Sequence, residues 1–380
     1  MRKTALITLL TFVLACPQIA WGAAKEPTLT AKSAIVIEAS TGKILFAKAA
    51  ADRRPPASTT KMMTLIVALE HGNLNDIVTT SPNAASTEGS SLWLAPGEQL
   101  KLRDMLYGMM LVSGNDATVA VAEHISGSVD KFARLMTDKA HAIGALSTNF
   151  TNSSGLPDQR HYSTATDLAH IAAYGFKNPL FTQIVSTKHT IIPWPGKNHD
   201  RDLYNENKLL WQYDGADGVK TGFTEEAGRC LVSGAKRDGI QLVAVVLDGD
   251  RMWEDSIKLL DYGFSRLQPV TMFNRGDIMK TVKVIDGKSD YVTLTAADTL
   301  VVPADEGDRE GFATVIVAPD TIDAPVKAGQ KIGVIKTMYR NTEISSVDLL
   351  ATEPAERKTF FGLLWGSLWS FFTFIVRNLA

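Results

Sequence analysis

The sequence predicts a mixed α/β fold, an antiparallel sheet flanked by helices, followed by a small all-β sandwich and a C-terminal amphipathic helix. Three observations carry this prediction. Strand-like runs open and close the first two thirds of the chain around a helical middle. Short alternating runs separated by Gly, Asp and Pro fill the stretch from Asp277 to Leu349, and the last residues are aromatic and nearly free of charge. With 380 residues the chain has room for a large core and more than one domain.

The first residues read as a secretory signal peptide over 1–23: Arg2-Lys3, an apolar stretch from Thr4 to Ala15, then small residues around Ala20 to Ala24. The mature chain then starts near Ala23 or Lys25. A rival reading makes Val13-Leu14-Ala15-Cys16 a lipoprotein signal, against which stands the bulk of Leu14. Of 39 basic residues Arg2 and Lys3 leave with the leader, and 41 acidic ones remain, so the mature chain is mildly negative and gives no hint of nucleic acid. Cys16 and Cys230 are the two cysteines; with Cys16 in the leader no internal disulfide is expected, which suits an exported protein with a core large enough to need no staple. The seven histidines show no close pairing, and the sequence indicates neither a metal site nor a cofactor.

Ser33 to Glu38 and Lys43 to Ala49 read as strands joined by a turn at Ser40-Thr41-Gly42. Pro55 and Pro56 then block helix, and from Ser58 the run is apolar on nearly every face until Gly72, the mark of a central buried helix. Leu102, Met105, Leu106, Met109 and Met110 define an amphipathic helix ending at Ser113-Gly114-Asn115-Asp116, and Phe132, Leu135 and Met136 mark another. Gly218 to Phe223, Gly228 to Ala235 and Ile240 to Leu247 read as three strands, with a helix after them from about Trp253 to Tyr262. The N-terminal hairpin and these three strands can close into one antiparallel sheet. The expected divisions are a first domain over 25–270, the β-sandwich over 271–352 and a terminal helix over 355–380.

Within the Ser58 helix, Ser58 and Lys61 lie three residues apart on one face, so a hydroxyl meets an amine. A buried amine loses its proton more easily and can activate a serine, while backbone N–H groups at a helix start can face an oxyanion. On local grounds the serine reads equally as a nucleophile and as a helix N-cap. The Ser-x-x-Lys spacing also begins at Ser40, Ser128 and Ser233, where it reads as turn, surface helix and strand.

Two further motifs favour the nucleophile. Ser113-Gly114-Asn115 follows a helix, and Lys220-Thr221-Gly222 lies on the first of the three late strands. In the order Ser-x-x-Lys, Ser-x-Asn, Lys-Thr-Gly, the chain resembles the penicillin-binding proteins and their β-lactamase/transpeptidase-like fold. It is most similar to the low-molecular-mass D-alanyl-D-alanine carboxypeptidases with a trailing β domain and a C-terminal anchor. The resemblance implies Ser58 as nucleophile, Lys61 as its base, Ser113 as proton relay and Asn115 as a holder of Lys61 and of the substrate amide. It implies Lys220, Thr221 and Gly222 around the substrate's terminal carboxylate, and Phe223, where many relatives carry histidine, lending its backbone N–H to the oxyanion hole. Arg251 is a second carboxylate partner or a surface arginine.

The implied partners are peptidoglycan stem peptides and β-lactam antibiotics, the latter as covalent inhibitors. Between Lys358 and Arg377 the terminus is charge-free and, as a helix, would run ~26 Å. Small and polar residues recur there along one side, which suits a helix, Phe360 to Leu379, lying on a membrane surface; a tilted spanning helix is the alternative. The enzyme would therefore act in the periplasm or on the outer face of the cytoplasmic membrane. Two rival functions are a class A β-lactamase and a catalytically silent penicillin-binding scaffold. The former needs a glutamate base downstream of Ser-x-Asn, yet no glutamate lies between Glu123 and Glu206.

Overall fold

The structure, a computed structural model, describes residues 25–305 and 309–358. The expected signal peptide over 1–23 and nearly all of the terminal helix lie outside these residues. Strands β1 (Ser33–Glu38) and β2 (Ile44–Lys48) form the N-terminal hairpin. The helical insert contains α1 (Lys61–His71), α2 (Leu102–Leu111), α3 (Asn115–Ser126), α4 (Val129–Ala142) and α5 (Ala165–Gly175). The chain then returns as β3 (Ala216–Thr224), β4 (Gly228–Arg237) and β5 (Ile240–Leu247) and ends the first unit with α6 (Met252–Arg266).

The five strands form one antiparallel sheet in the order β2-β1-β5-β4-β3, so the two ends of the unit meet at the β1/β5 pair, with Ser33 opposite Leu247 and Glu38 opposite Leu242. Strand alternation sorts the core. Ile35, Ile37, Val243, Val245 and Val232 pack with the helical insert, whereas Val36, Leu242, Ala244, Val246 and Leu231 pack with Leu259 and Leu260 of α6. Helix α1 is buried at every residue from Lys61 to Ala68, which explains its apolar character all round.

The remaining chain is a β domain. Six strands order as Phe312–Val317, Lys331–Tyr339, Thr342–Ala351, Tyr291–Ala296, Ile278–Ile285 and Thr321–Asp323, with only the last pair parallel. A second pair, Gln268–Phe273 with Leu300–Ala304, adds Phe273, Leu300 and Val302 to the core that holds Val282, Leu294, Ile335 and Leu349. Ala355 bridges to Val326 and Arg357 to Gly287, so the first residues expected to begin the terminal helix pair with this domain instead.

Two glycines fix the chain next to the Ser58 segment and α1. Gly72 ends α1 in an extended conformation, φ −103°, and a Cβ there would press on the Leu102 side chain and the Ala68 carbonyl oxygen. Gly155, at φ +87°, closes a turn in which Asn152 Oδ1 accepts from the backbone N–H of Ser154 (3.1 Å) and Gly155 (2.8 Å), and a Cβ on it would overlap the Ala57 carbonyl oxygen. This turn seats the 152–155 loop directly against the segment that carries Ser58. Gly155→Ala should cost about 3 kcal/mol or more, from left-handed strain plus overlap with backbone that cannot move aside. Gly97→Ala is the control, since Gly97 has φ +82° with no atom within 4 Å of its Cβ position and should cost only ~1 kcal/mol. Thermal melting of both variants checks this; equal losses would show that the contact with Ala57 carries no weight.

Candidate active site

Ser58 lies in a 3-10 turn, Ala57–Thr60, that feeds directly into α1, rather than in the α-helix itself. Ala57 enters the turn at φ 48°. Because a 3-10 turn has three residues per turn, side chains three apart stand directly over one another, and the Lys61 amine lies 2.9 Å from Ser58 Oγ. The turn is fixed by its neighbours: Thr59 Oγ1 donates to the Pro56 carbonyl (2.6 Å), and Thr60 Oγ1 meets His161 Nε2 at 2.8 Å. Burial pushes the His161 pKa down to about 4, so this imidazole stays neutral and can hold the threonine hydroxyl.

Lys61 is wholly buried. Besides reaching Ser58, its Nζ donates to Asn115 Oδ1 (2.7 Å) and to the Ser154 carbonyl (3.0 Å). Desolvation drives its pKa well below that of an exposed lysine and the charge of Lys220 adds to the effect, with Glu206 and Asp116 acting the other way. Asn115 opens α3 and is itself held, its Nδ2 donating to the Glu88 carbonyl (2.7 Å) and its backbone N–H to the Ser90 carbonyl (2.7 Å). Next to it, buried Asp116 accepts from Leu92 N–H (2.9 Å), Leu94 N–H (3.0 Å) and Ser91 Oγ (2.7 Å), pinning the 91–94 loop to the start of the same helix. Ser113 occupies the joint between α2 and α3 at φ 61°, and is buried; its hydroxyl makes no hydrogen bond among the described residues.

Strand β3 runs past the Ser58 turn so closely that a Cβ on Gly222 would stand 3.0 Å from the Ser58 backbone nitrogen and 3.2 Å from that of Thr59. Glycine in Lys-Thr-Gly is thus a condition of the approach. Lys220 is buried, its Nζ donating to Thr221 Oγ1 at 3.3 Å; burial lowers its pKa to about 8, and nearby Glu206 opposes that shift. Glu206 Oε2 lies 3.8 Å from Lys220 Nζ and accepts from Thr221 Oγ1 at 3.2 Å. Phe223 is exposed opposite Arg229, whose guanidinium lies 5.7 Å from the ring centroid.

The structure therefore brings Ser58, Lys61, Asn115 and Gly222 together, with Lys220 and Thr221 on the same strand. Arg251 is not joined to this group. It occupies the position just before α6 without a side-chain cap bond, largely exposed, with its guanidinium 3.5 Å from Glu254. The other three Ser-x-x-Lys matches do serve structure: Ser40 donates to the Glu38 carboxylate, Ser128 caps α4 by accepting from Lys131 N–H, and Ser233 is buried in β4 while Lys236 is exposed. Sequence reasoning missed the Ser154 carbonyl, His161 and the contact of Glu206 with Lys220. The Asn-Ser-Ser-Gly turn at 152–155 was the available signal for the first.

A family model described as D-alanyl-D-alanine carboxypeptidase matches residues 21–251, and one described as the C-terminal domain of penicillin-binding protein 5 matches 267–357. The chain is 36% identical over 345 residues to D-alanyl-D-alanine carboxypeptidase DacF of Bacillus subtilis, covering 88% of each. It is 32% identical over 358 residues to D-alanyl-D-alanine carboxypeptidase DacC of Escherichia coli, covering 90% of this chain and 88% of that one. Among solved structures, penicillin binding protein 5 of Haemophilus influenzae is similar at 30% identity and a TM-score of 0.62, covering 88% of this chain and 100% of that one. Since the first model spans all three motifs and the likeness to whole relatives continues through the β domain, the chain belongs to the D-alanyl-D-alanine carboxypeptidase family.

Proposed function

We propose that the chain removes the terminal D-alanine from peptidoglycan pentapeptides through an acyl-enzyme on Ser58, as a serine-type D-Ala-D-Ala carboxypeptidase that β-lactams also acylate. The observation that carries this reading is the arrangement of acceptors around the Lys61 amine. A neutral amine has two N–H groups and one lone pair. Asn115 Oδ1 and the Ser154 carbonyl can only accept, so they take the two N–H groups, and the lone pair is left for the third neighbour, the Ser58 hydroxyl. In that state Ser58 O–H donates to Lys61 along the same 2.9 Å line.

Ser58 Oγ then attacks the carbonyl between the two D-alanines while its proton passes to Lys61 Nζ. The oxyanion faces the backbone N–H groups of Ser58 and Phe223. Collapse of the tetrahedral species breaks the C–N bond, with the proton delivered to the leaving amine through Ser113, and free D-alanine departs. Water then splits the Ser58 ester and releases the shortened peptide. Lys220 and Thr221 bind the terminal carboxylate, for which a desolvated cation beside a hydroxyl is a suitable cradle. As for the β-lactamase alternative, the Glu206 carboxylate is engaged by Thr221, on the carboxylate side of the site.

The sequence features of residues 1–23 and 360–379 support an exported enzyme held at the outer face of the cytoplasmic membrane. Among the described residues no helix is long and apolar enough to cross a membrane.

Ser58→Ala should abolish D-alanine release and covalent labelling by a fluorescent penicillin, and Lys61→Ala should cut acylation by ~10³-fold or more with the fold intact by circular dichroism. Wild-type enzyme should carry a penicilloyl adduct on Ser58 long enough for intact-mass detection; labelling of the Ser58→Ala variant would refute the assignment.

The pH dependence of kcat/KM should be bell-shaped. Lys61 must be neutral, so activity falls as pH drops below its lowered pKa. Lys220 must be charged, so activity falls again as pH rises through about 8. A rate that keeps rising beyond pH 9 would remove Lys220 from carboxylate binding.

Cutting the chain after Lys358 should give an active enzyme that no longer pellets with membranes, and an alkaline carbonate wash should release at least part of the full-length protein. Full retention of the intact chain after that wash would favour a spanning helix.

A further inference from the structure

Glu206 stands in the place where the reading above puts the substrate's carboxylate, and the chain around it is built to hold it there. Its two neighbours are buried asparagines whose side chains hold backbone groups, although Asn207 Nδ2 is buried without a partner among the described residues. Asn205 Nδ2 donates to the Val185 (3.2 Å) and Thr187 (3.0 Å) carbonyls, Asn205 Oδ1 accepts from Asn207 N–H (2.9 Å), and Asn207 Oδ1 accepts from Leu209 N–H (3.1 Å). Glu206 N–H itself donates to the Leu111 carbonyl at 3.0 Å, just before the joint that carries Ser113. The backbone at 206 is therefore fixed on three sides. Its side chain is not: the carboxylate is about half exposed, 47%, and meets Lys220 at only 3.8 Å and Thr221 Oγ1 at 3.2 Å.

A purely structural role fits these numbers poorly. A long ion pair with one exposed partner contributes little to stability, and the asparagines already fix the loop. Lys220, by contrast, is fully buried, and its charge helps depress the pKa of Lys61. An empty cradle of this kind has to keep its cation charged in the absence of substrate. Glu206 supplies one negative charge from a side chain that can rotate outward into water at little cost.

We propose that Glu206 is a resident surrogate for the substrate's terminal carboxylate: it occupies the Lys220 and Thr221 cradle in the free enzyme and must be displaced by each incoming carboxylate, which makes it a determinant of substrate affinity. This inference rests on the carboxypeptidase reading for its substrate, though not for its test. Displacement exchanges one carboxylate for another, so the net gain on binding is smaller than an empty cradle would give. The penalty is specific to anions, because a ligand without a carboxylate has no reason to evict Glu206.

The test compares wild type with Glu206→Gln, which keeps the size and loses the charge. For a peptide ending in D-Ala-D-Ala the variant should show KM lowered about 3–10-fold, the range expected when an exposed competing charge is removed, with kcat changed less than about twofold. For the same peptide ending in D-alaninamide, KM should move less than twofold. The second-order rate of acylation by benzylpenicillin, read by intact mass, should rise by the same factor, while that of its methyl ester stays put. An unchanged or raised KM for the acid, or equal shifts for acid and amide, would overturn the surrogate role. If wild type releases no D-alanine at all, the carboxypeptidase reading fails, and the comparison of penicillin with its ester still decides the role of Glu206.

Discussion

The catalytic unit depends on keeping one lysine amine out of water with all its valences assigned. Burying a charged ammonium is costly, and burying an amine with unpaired N–H groups is costly too. Lys61 avoids both through partners from three parts of the chain: Asn115 on α3 and the Ser154 carbonyl on the 152–155 loop accept its two N–H groups, and the Ser58 hydroxyl one turn back meets its lone pair. Much of the surrounding architecture follows from this. Helix α1 has to be central so that its first residue is desolvated, α3 has to begin beside it, and the loop has to be folded tightly enough to turn one carbonyl inward.

The supports of these three partners are themselves polar and buried, which gives the region its rigidity. Asn115 is tied to the Glu88 carbonyl, Asp116 gathers the 91–94 loop, Thr64 Oγ1 donates to the Ser153 carbonyl at 2.6 Å, and neutral His161 steadies Thr60. Each bond removes a way for the amine to drift from the hydroxyl. An error of about an ångström in such a pair is enough to cost much of its catalytic use.

Side-chain chemistry at fixed spacing was legible in the sequence; backbone chemistry was not. Ser58 and Lys61 declare themselves because a helical or 3-10 turn brings residues three apart together in either case, so misjudging the type of turn did no harm. The strands from 216 to 247 were legible from their alternation and short turns, and their closure with the N-terminal hairpin followed from pairing rules. The Ser154 carbonyl had no such signature, since any residue carries one, and only the turn around it could be read. Glu206 was hidden for the opposite reason: a lone glutamate between two asparagines looks like loop, and its meaning depends on a strand fourteen residues later arriving beside it. The terminal segment shows a third limit, because composition placed its start at 355 whereas Ala355 and Arg357 are held by bridges that no local pattern announces.

The sheet order ends at β3, and among the described residues no further strand pairs with its outer edge. The Ser58 turn packs on the face of that strand, at Gly222, so the edge keeps its row of backbone donors and acceptors. An extended peptide laid along such an edge is recognised by its main chain. Main-chain pairing is largely indifferent to what the side chains are. Steric selection is confined to the stretch beside the Ser58 turn, where even a Cβ on Gly222 would stand 3.0 Å from the Ser58 backbone nitrogen. That division leaves the length of the strand open to many sequences and concentrates steric discrimination at the one point where strand and turn touch.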